Sequence, residues 1–269
     1  MVLLLVFGSL MVSIILNGLA DNLPATDNRP FPSNLFPACG YCGSMRKARD
    51  LLAVGSTLFQ SGRCLRCGAP RPFRDLLVEA LLMISFPALW LFGMTSVPEI
   101  LLSGFILSTF LLFLIIDFEH RYVLGGVVGL VSLVLLLCGL LRGFSSLVWM
   151  VEGGVAGLLI FLVLYLLGWL MGKIFHIGHG IEPLGFGDVI LAALVGIVTG
   201  WPAVLMAVFL SIFIAGIAGI ILLFFSAVRR TPLRNATMAY GPYLLISGLI
   251  VHFFGGALVE WIVNSMTVF

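Results

Sequence analysis

The stretch ILLSGFILSTFLLFLIID, residues 100–117, decides the fold class of this chain. It holds seventeen uncharged residues followed by one aspartate, Asp117. As an α-helix, the stretch would be about 27 Å long, close to the ~30 Å thickness of the hydrocarbon core of a membrane. It is therefore predicted to be a membrane-spanning helix that ends on an ionisable group.

The composition of the whole chain agrees with this prediction. Of its 269 residues, 61% are hydrophobic and 10% are charged, whereas a soluble domain has roughly 45–50% apolar and about 25% charged residues. Such a composition excludes a disordered protein, a nucleic-acid-binding protein and a secreted disulfide-rich domain. Membrane lipid is the expected surrounding, and the net charge of +2 is too small to indicate an acidic partner.

About eight apolar runs of this kind are expected to cross the membrane, which makes the chain an all-α polytopic membrane protein. The turn Gly200-Trp201-Pro202 separates the sixth run from the seventh. The first run is predicted to be an uncleaved helix, because no basic residue precedes it and no small-x-small cleavage site follows. The eight runs are Val2–Leu19, Leu76–Met94, Ile100–Asp117, Val123–Leu141, Leu147–Ile174, Val189–Gly200, Ala203–Val228 and Tyr240–Val263.

Basic residues set the expected orientation. With eight crossings, thirteen of the fourteen Lys and Arg residues fall on one side, and only Arg142 falls on the other. Positive charge marks the cytoplasmic side, so both termini are expected outside. The chain then divides into a first helix (1–19), a polar cytoplasmic domain (20–75) and a transmembrane domain (76–269). The thirteen are Arg29, Arg46, Lys47, Arg49, Arg63, Arg66, Arg71, Arg74, Arg121, Lys173, Arg229, Arg230 and Arg234.

The polar domain holds two copies of one cysteine motif, C-x-x-C-G. The first pair is Cys39 and Cys42, the second is Cys64 and Cys67, and 21 residues separate them. Four thiolates at this spacing suit one structural zinc ion, and the glycine after each pair permits a tight turn. Iron in place of zinc, and two reduced or redox-active pairs without metal, are the alternatives.

Two aspartates are expected at the cytoplasmic ends of predicted helices. Asp117 ends the third run and Asp188 begins the sixth, so the topology places both at similar depth. Two carboxyl groups held close together do not both ionise easily, so one keeps a proton while the other acts as a base on water. Such a pair can hydrolyse a peptide bond, and Asp117 and Asp188 are the predicted catalytic residues.

The neighbours of these aspartates leave two interpretations open. Gly185 and Gly187, just before Asp188, would let an extended substrate approach the main chain. His120 shares a helix face with Asp117 if the helix continues, and is expected to tune the pair or contact substrate. In the competing interpretation, each aspartate only caps or flanks a helix at the membrane interface, and His120 is simply solvated.

Motifs along nearly the whole chain resemble those of the bacterial prepilin peptidases, the leader peptidases of type IV pilins and type II secretion pseudopilins. Two places depart from the family pattern. Val123-Leu124-Gly125 stands where the family has Ile-Pro, and the opening motif is degraded, with Asn22 in place of arginine. The matching segments are Leu16-Asn17, Leu23-Pro24, the two cysteine motifs, Arg74-Asp75-Leu76-Leu77-Val78-Glu79, Asp117 with His120, Gly185-Phe186-Gly187-Asp188-Val189 and Ala239-Tyr240-Gly241-Pro242-Tyr243.

The resemblance implies a GxGD-type aspartic protease of the bacterial cytoplasmic (inner) membrane. Such an enzyme removes the basic leader of type IV prepilins or pseudopilins after a glycine, on the cytoplasmic side. The resemblance also implies N-methylation of the new pilin N-terminus with S-adenosylmethionine, an activity that goes with the cysteine-bearing domain in this family. Asp117 and Asp188 match the two catalytic positions.

Three other functions remain open from the residues themselves. The aspartate pair would also suit an intramembrane protease of the presenilin type, although the cysteine domain argues against it. A transporter or proton channel would use the same acids as relay groups, but no internal repeat is visible and both acids lie at one edge. A non-enzymatic, zinc-stabilised component of a secretion system would need neither aspartate.

Overall fold

The computed structural model describes residues 2–23, 38–39, 41–46, 50–60, 62–91, 93–94, 96–174, 185–229 and 239–266. Within these ranges the chain is helical and has no strand beyond two isolated β-bridges. The helices are α1 (Val2–Asn22), α2 (Ala53–Gln60), α3 (Phe73–Leu91), α4 (Val97–His120), α5 (Gly125–Arg142), α6 (Phe144–Ile174), α7 (Phe186–Thr199), α8 (Ala203–Arg229) and α9 (Gly241–Met266).

The eight predicted apolar runs all appear as helices, and α2 is an additional short helix within the polar segment. Five of the described helices, α1, α4, α5, α6 and α8, are long and apolar enough to cross a membrane. α7 and residues 241–256 of α9 are shorter apolar helices. α3 begins at Phe73, three residues before the predicted start, and therefore includes Arg74 and Asp75. Five of the basic residues in the orientation argument lie outside the described residues: Arg29, Lys47, Arg49, Arg230 and Arg234.

The chain forms two compact units, and the first comprises residues 1–116. Its centre is α3, which packs against both α1 and α2. Val78 and Leu82 of α3 are fully buried, as is Glu79 between them. An acidic side chain in such a position requires partners, and these are described below. α3 thus connects the apolar helix α1 with α2, which lies in the polar segment that bears the cysteines.

The second unit comprises residues 117–269 and is built around α7. This short helix contacts α5, α6, α8 and α9, and its residues from Leu194 to Thr199 are buried in succession. α6 and α7 approach closely because glycines face each other: a β-carbon on Gly153 would collide with the Gly196 carbonyl, and one on Gly196 with the Gly153 carbonyl. From Val189 to Val198, α7 carries only apolar residues, as is typical of a helix in a core position. The packing of α7 thereby holds in place its N-terminal end, which bears Asp188.

Candidate active site and metal centre

The two cysteine pairs lie in turns of the same design. The Gly43 N–H donates to the Cys39 carbonyl at 2.8 Å, and the Gly68 N–H donates to the Cys64 carbonyl at 2.9 Å. Both glycines have positive φ, 64° and 72°, a conformation that other residues adopt only with strain. The prediction that these glycines permit the turns is confirmed.

The four thiols converge on one point. Their Sγ atoms all lie within 4.8 Å of one another. The closest pairs join the two turns: Cys39 to Cys67 at 3.6 Å, and Cys42 to Cys64 at 3.9 Å. Sulfurs bound at ~2.3 Å to a tetrahedral ion lie about 3.8 Å apart. The arrangement therefore fits one metal ion held by both turns.

Nearby hydrogen-bond donors favour the thiolate form that binds metal. The main-chain N–H groups of Cys67 and Arg66 lower the pKa of Cys64 to about 6. A hydrogen bond with Ser44, whose hydroxyl is 3.0 Å from the sulfur, lowers the pKa of Cys42. In each turn, the pKa of one thiol is thus shifted toward the thiolate form.

A buried ion network in the first unit was not predicted from the sequence. Arg71 donates from Nε to Asp75 Oδ2 at 2.9 Å and from its Nη atoms to the carbonyls of Asp50 and Leu51. Arg71, Asp75 and Glu79 are spaced four residues apart, which puts them on one face if α3 is extended backwards. This four-residue spacing is the feature of the sequence that could have predicted the network. Two of the three residues, Asp75 and Glu79, belong to the segment that resembles a family motif.

Glu79 connects this network to α2. Its two carboxylate oxygens accept hydrogen bonds from the N–H groups of Ala53, at 2.6 Å, and Val54, at 2.9 Å. These are the first two residues of α2, whose N–H groups have no partner within the helix. Arg71 Nη2 lies 3.9 Å from the same carboxylate. Glu79 therefore caps α2 and fixes it to α3.

Asp117 lies in the last turn of α4 and begins the second unit. It is 5% exposed, and among the described residues its Oδ2 has no hydrogen-bond partner. A buried carboxyl oxygen without a partner is costly. Such an atom is available to a substrate or to water.

Asp188 lies in the first turn of α7, where the predicted G-x-G-D loop meets the helix. The Gly185 N–H donates to Asp188 Oδ2 at 3.3 Å. A β-carbon on Gly187 would lie 2.7 Å from Val123 Cγ2, so this glycine is required by packing. Asp188 thus caps α7, as the competing interpretation expected, and also lies close enough to Asp117 for the two charges to interact.

Gly241 lies against both aspartates, a contact that was not predicted from the sequence. Its N–H donates to the Asp188 carboxylate, and a β-carbon on it would lie 2.5 Å from Asp117 Oδ2. As the first residue of α9, Gly241 has an N–H without a partner in its own helix. The starts of α7 and α9 therefore both supply main-chain donors to Asp188, where the helix dipoles favour a carboxylate.

Tyr240 anchors this end of α9. Its hydroxyl is 2.6 Å from the Ser211 hydroxyl of α8, and its ring centroid is 5.7 Å from that of Phe161 in α6. Tyr240 is also within electrostatic range of Asp188. The residue before Gly241 is thus held by two neighbouring helices.

The helix that contains Asp117 continues as far as His120, the last residue of α4, as the prediction of a shared helix face requires. Its side chain is 46% exposed, and its Nε2 lies 3.9 Å from Glu119 Oε2. Its role toward the aspartate pair remains a prediction.

Apolar helices long enough to cross a membrane, together with two carboxyl groups that converge beside a G-x-G-D loop, are the features that a membrane aspartic peptidase requires. Comparison with known proteins agrees. Residues 104–220 match the Type IV leader peptidase family, and residues 5–92 match the bacterial Peptidase A24 N-terminal domain. No solved structure matched the chain.

Several curated relatives carry the name prepilin leader peptidase/N-methyltransferase. That of Burkholderia pseudomallei (strain 1026b) is 32% identical over 87% of this chain and 71% of its own length. That of Pseudomonas aeruginosa is 31% identical over 86% of this chain and 74% of its own length. That of Legionella pneumophila is 27% identical over 84% of this chain and 75% of its own length. The chain belongs to the bacterial prepilin leader peptidase family.

Proposed function

We propose that this chain is an aspartic endopeptidase that removes the leader of type IV prepilins or pseudopilins, with Asp117 and Asp188 as the catalytic pair. The observation that carries the proposal is the convergence of both carboxyl groups on Gly241. The family and the printed names of its members supply the substrate class.

The chemistry requires both carboxyl groups. One acts as the base that takes a proton from water, and the other donates a proton to the oxygen of the scissile carbonyl. The base then returns its proton to the leaving nitrogen as the tetrahedral intermediate collapses. Each aspartate lies at a helix end, and Asp117 Oδ2 has no competing partner among the described residues.

The proposed setting is the bacterial inner membrane, with the active site and residues 20–75 on the cytoplasmic side and residues 76–269 forming the transmembrane peptidase domain. The family and the apolar helices support a multi-pass membrane location. The orientation follows from the basic residues of the sequence. A basic leader on the cytoplasmic side would then meet the aspartate pair while the apolar part of the pilin stays in the membrane.

The four cysteines are proposed to hold zinc in a structural role. Four thiolates close the coordination sphere and leave no position for a substrate. The ion would stabilise a small segment that has little apolar core of its own. His120, Gly185 and Gly187 are proposed as supports of the peptidase site.

A second proposed activity is methylation of the pilin N-terminus that cleavage exposes. The printed names of the relatives include an N-methyltransferase, and the match to the N-terminal family domain covers the cysteine segment. The methyl donor for such an activity is S-adenosylmethionine.

Expression with a type IV prepilin in a host without its own peptidase tests both activities. The expected product has lost its leader and has gained the mass of one methyl group at its new N-terminus, as read by mass spectrometry. A prepilin with its cleavage-site glycine replaced is the matched control and should stay intact. An unprocessed wild-type prepilin, with the enzyme present in the membrane, would refute the peptidase proposal; a cleaved, unmethylated product would refute the methylation alone.

A further inference from the structure

The short helix α2 bears an apolar side chain that the described residues leave largely uncovered. The sequence of this helix, AVGSTLFQ, contains no charged residue. Ala53 and Ser56 are fully buried on the side that packs against α3. Leu58, on the opposite side, is 73% exposed, and Val54 lies one turn before it on the same face. An uncharged face of this kind suits an apolar surrounding better than water.

The hydroxyl groups of α2 have their hydrogen-bond partners within the helix. Thr57 Oγ1 lies 2.9 Å from the carbonyl oxygens of both Ala53 and Val54, and Ser56 Oγ donates to the Ala53 carbonyl at 3.2 Å. The first two N–H groups of the helix donate to the carboxylate of Glu79. Polar groups that are paired in this way are tolerated beside lipid, whereas unpaired groups are expensive there.

The contacts between α1 and α3 give the level of α2 along these helices. The end of α1, which is long and apolar enough to cross a membrane, lies against the start of α3: Asp21 pairs with Arg74, and Asn17 Nδ2 donates to the Asp75 carbonyl at 3.4 Å. Glu79, which holds the start of α2, follows Arg74 by about 7.5 Å along α3. Helical side chains lean toward the N-terminus of their helix. α2 therefore begins where the charged end of the helix pair gives way to its apolar part.

Exposed apolar side chains on α3 begin at the same level, with Leu77 and Leu81 44% and 43% exposed. We propose that α2 lies on the membrane surface, at the boundary between lipid headgroups and acyl chains, with Val54 and Leu58 facing the acyl chains. Helices that lie in this boundary bury their apolar face by about 5–10 Å.

The lipid surface then holds the cysteine-bearing segment at a point of its own, in addition to the chain connections to α1 and α3. Glu79 fixes the first residues of α2 to α3, and lipid covers the face that α3 leaves exposed. This attachment goes beyond the proposed function, since neither cleavage nor methylation requires it.

A fluorescent amino acid in place of Leu58 tests the proposal in the full-length, metal-loaded protein. The protein is reconstituted into vesicles of phosphatidylcholine and phosphatidylglycerol, and its fluorescence is quenched either by a nitroxide on the lipid acyl chain or by iodide in the water. The same probe at Ile84, 70% exposed in α3, is the lipid reference, and at the exposed, charged Arg63 it is the aqueous reference. Metal content checks that each labelled protein is folded.

The Leu58 probe is expected to be quenched by the lipid nitroxide and to be protected from iodide nearly as well as the Ile84 probe. Iodide quenching closer to that of the Arg63 probe would overturn the proposal. A Leu58 probe shielded from both quenchers would also overturn it, because a protein partner or a second copy of the chain would then cover this face.

A second measurement uses the unaltered protein, so that no introduced group draws α2 to the lipid. A phospholipid with a photoreactive diazirine in its acyl chain should label the peptide that contains residues 53–60 as well as peptides of α3, as read by mass spectrometry. Labelling of α3 without labelling of α2 would contradict the proposal. Neither measurement uses cleavage or methylation, so a failure of this proposal is distinct from a failure of the proposed function.

Discussion

A β-carbon placed on Gly241 would lie 2.5 Å from Oδ2 of Asp117, well inside van der Waals contact. The two residues are far apart in the chain, and the helix that begins at Gly241 brings its main chain against the carboxyl group. Because the Gly241 N–H also donates to Asp188, this one glycine links the positions of both carboxyl groups.

Gly241→Ala is therefore expected to slow prepilin cleavage roughly a hundredfold, since a displacement of about 1 Å at a reacting group can have that effect. The new methyl group must displace Asp117 or the start of α9. Single-turnover cleavage by the purified variant measures the effect. Gly256→Ala is the matched control, because that glycine lies in the same helix with open space around it. Equal rates for the two variants would show that the contact with Asp117 has no role in catalysis.

The hydrogen bond between Tyr240 and Ser211 is expected to position Gly241. Tyr240→Phe and Ser211→Ala each remove one hydroxyl of a 2.6 Å pair, at a cost of about 1 kcal/mol in stability. Each is expected to lower kcat more than it raises KM, because the change disturbs the position of Gly241 beside the aspartates and not a contact with the substrate. The double variant should be hardly slower than either single one. Fully additive losses would show that the two hydroxyls act independently.

The membrane helices and the aspartate pair were largely predictable from the sequence. Apolar runs define helices because the bilayer requires both length and apolarity, and the structure has a helix at each predicted run. The proximity of Asp117 and Asp188 was expected from their similar predicted depth. The cysteine centre followed from the repeated spacing, since both turns are local and depend on glycines at Gly43 and Gly68.

What the sequence did not predict depends on packing between distant segments. The contact of Gly241 with Asp117 joins the end of α4 to the start of α9, which are far apart in the chain, and no local pattern encodes it. The capping of α2 by Glu79 likewise joins residues about 25 positions apart. The start of α3 was predicted too late because its first residues are charged; they are tolerated there because Arg71 and Arg74 pair with Asp75.

Removal of one thiol tests the metal centre. Cys39→Ser or Cys64→Ser is expected to abolish stoichiometric metal binding, because a four-thiolate site that loses one ligand is no longer closed. Elemental analysis of the purified protein measures the content and distinguishes zinc from iron. Cys138→Ser, in α5 and outside the cluster, is the control and should keep a full complement. Full metal content in the Cys39 and Cys64 variants would contradict the assignment.

Glu79→Ala is expected to destabilise the first unit by about 3 kcal/mol, because it leaves Arg71 with one buried partner fewer and two α2 N–H groups uncapped. Increased protease sensitivity of the segment around α2, measured in detergent, would report the loss. Glu99→Ala removes an exposed glutamate at the start of α4 and should be nearly neutral. Equal sensitivity of the two variants would indicate that Glu79 does not hold α2 in place.

The most direct test of the account is the cleavage rate of a purified prepilin by the wild type, Asp117→Asn and Asp188→Asn at matched protein levels. Asparagine keeps the shape of aspartate but can neither give nor take the proton, so each variant should lose activity by roughly 10²–10⁴-fold or more. Glu119→Gln, at an exposed position two residues from Asp117, controls for the loss of a nearby charge and should cleave at the wild-type rate. Wild-type cleavage by either aspartate variant would contradict the two-aspartate mechanism.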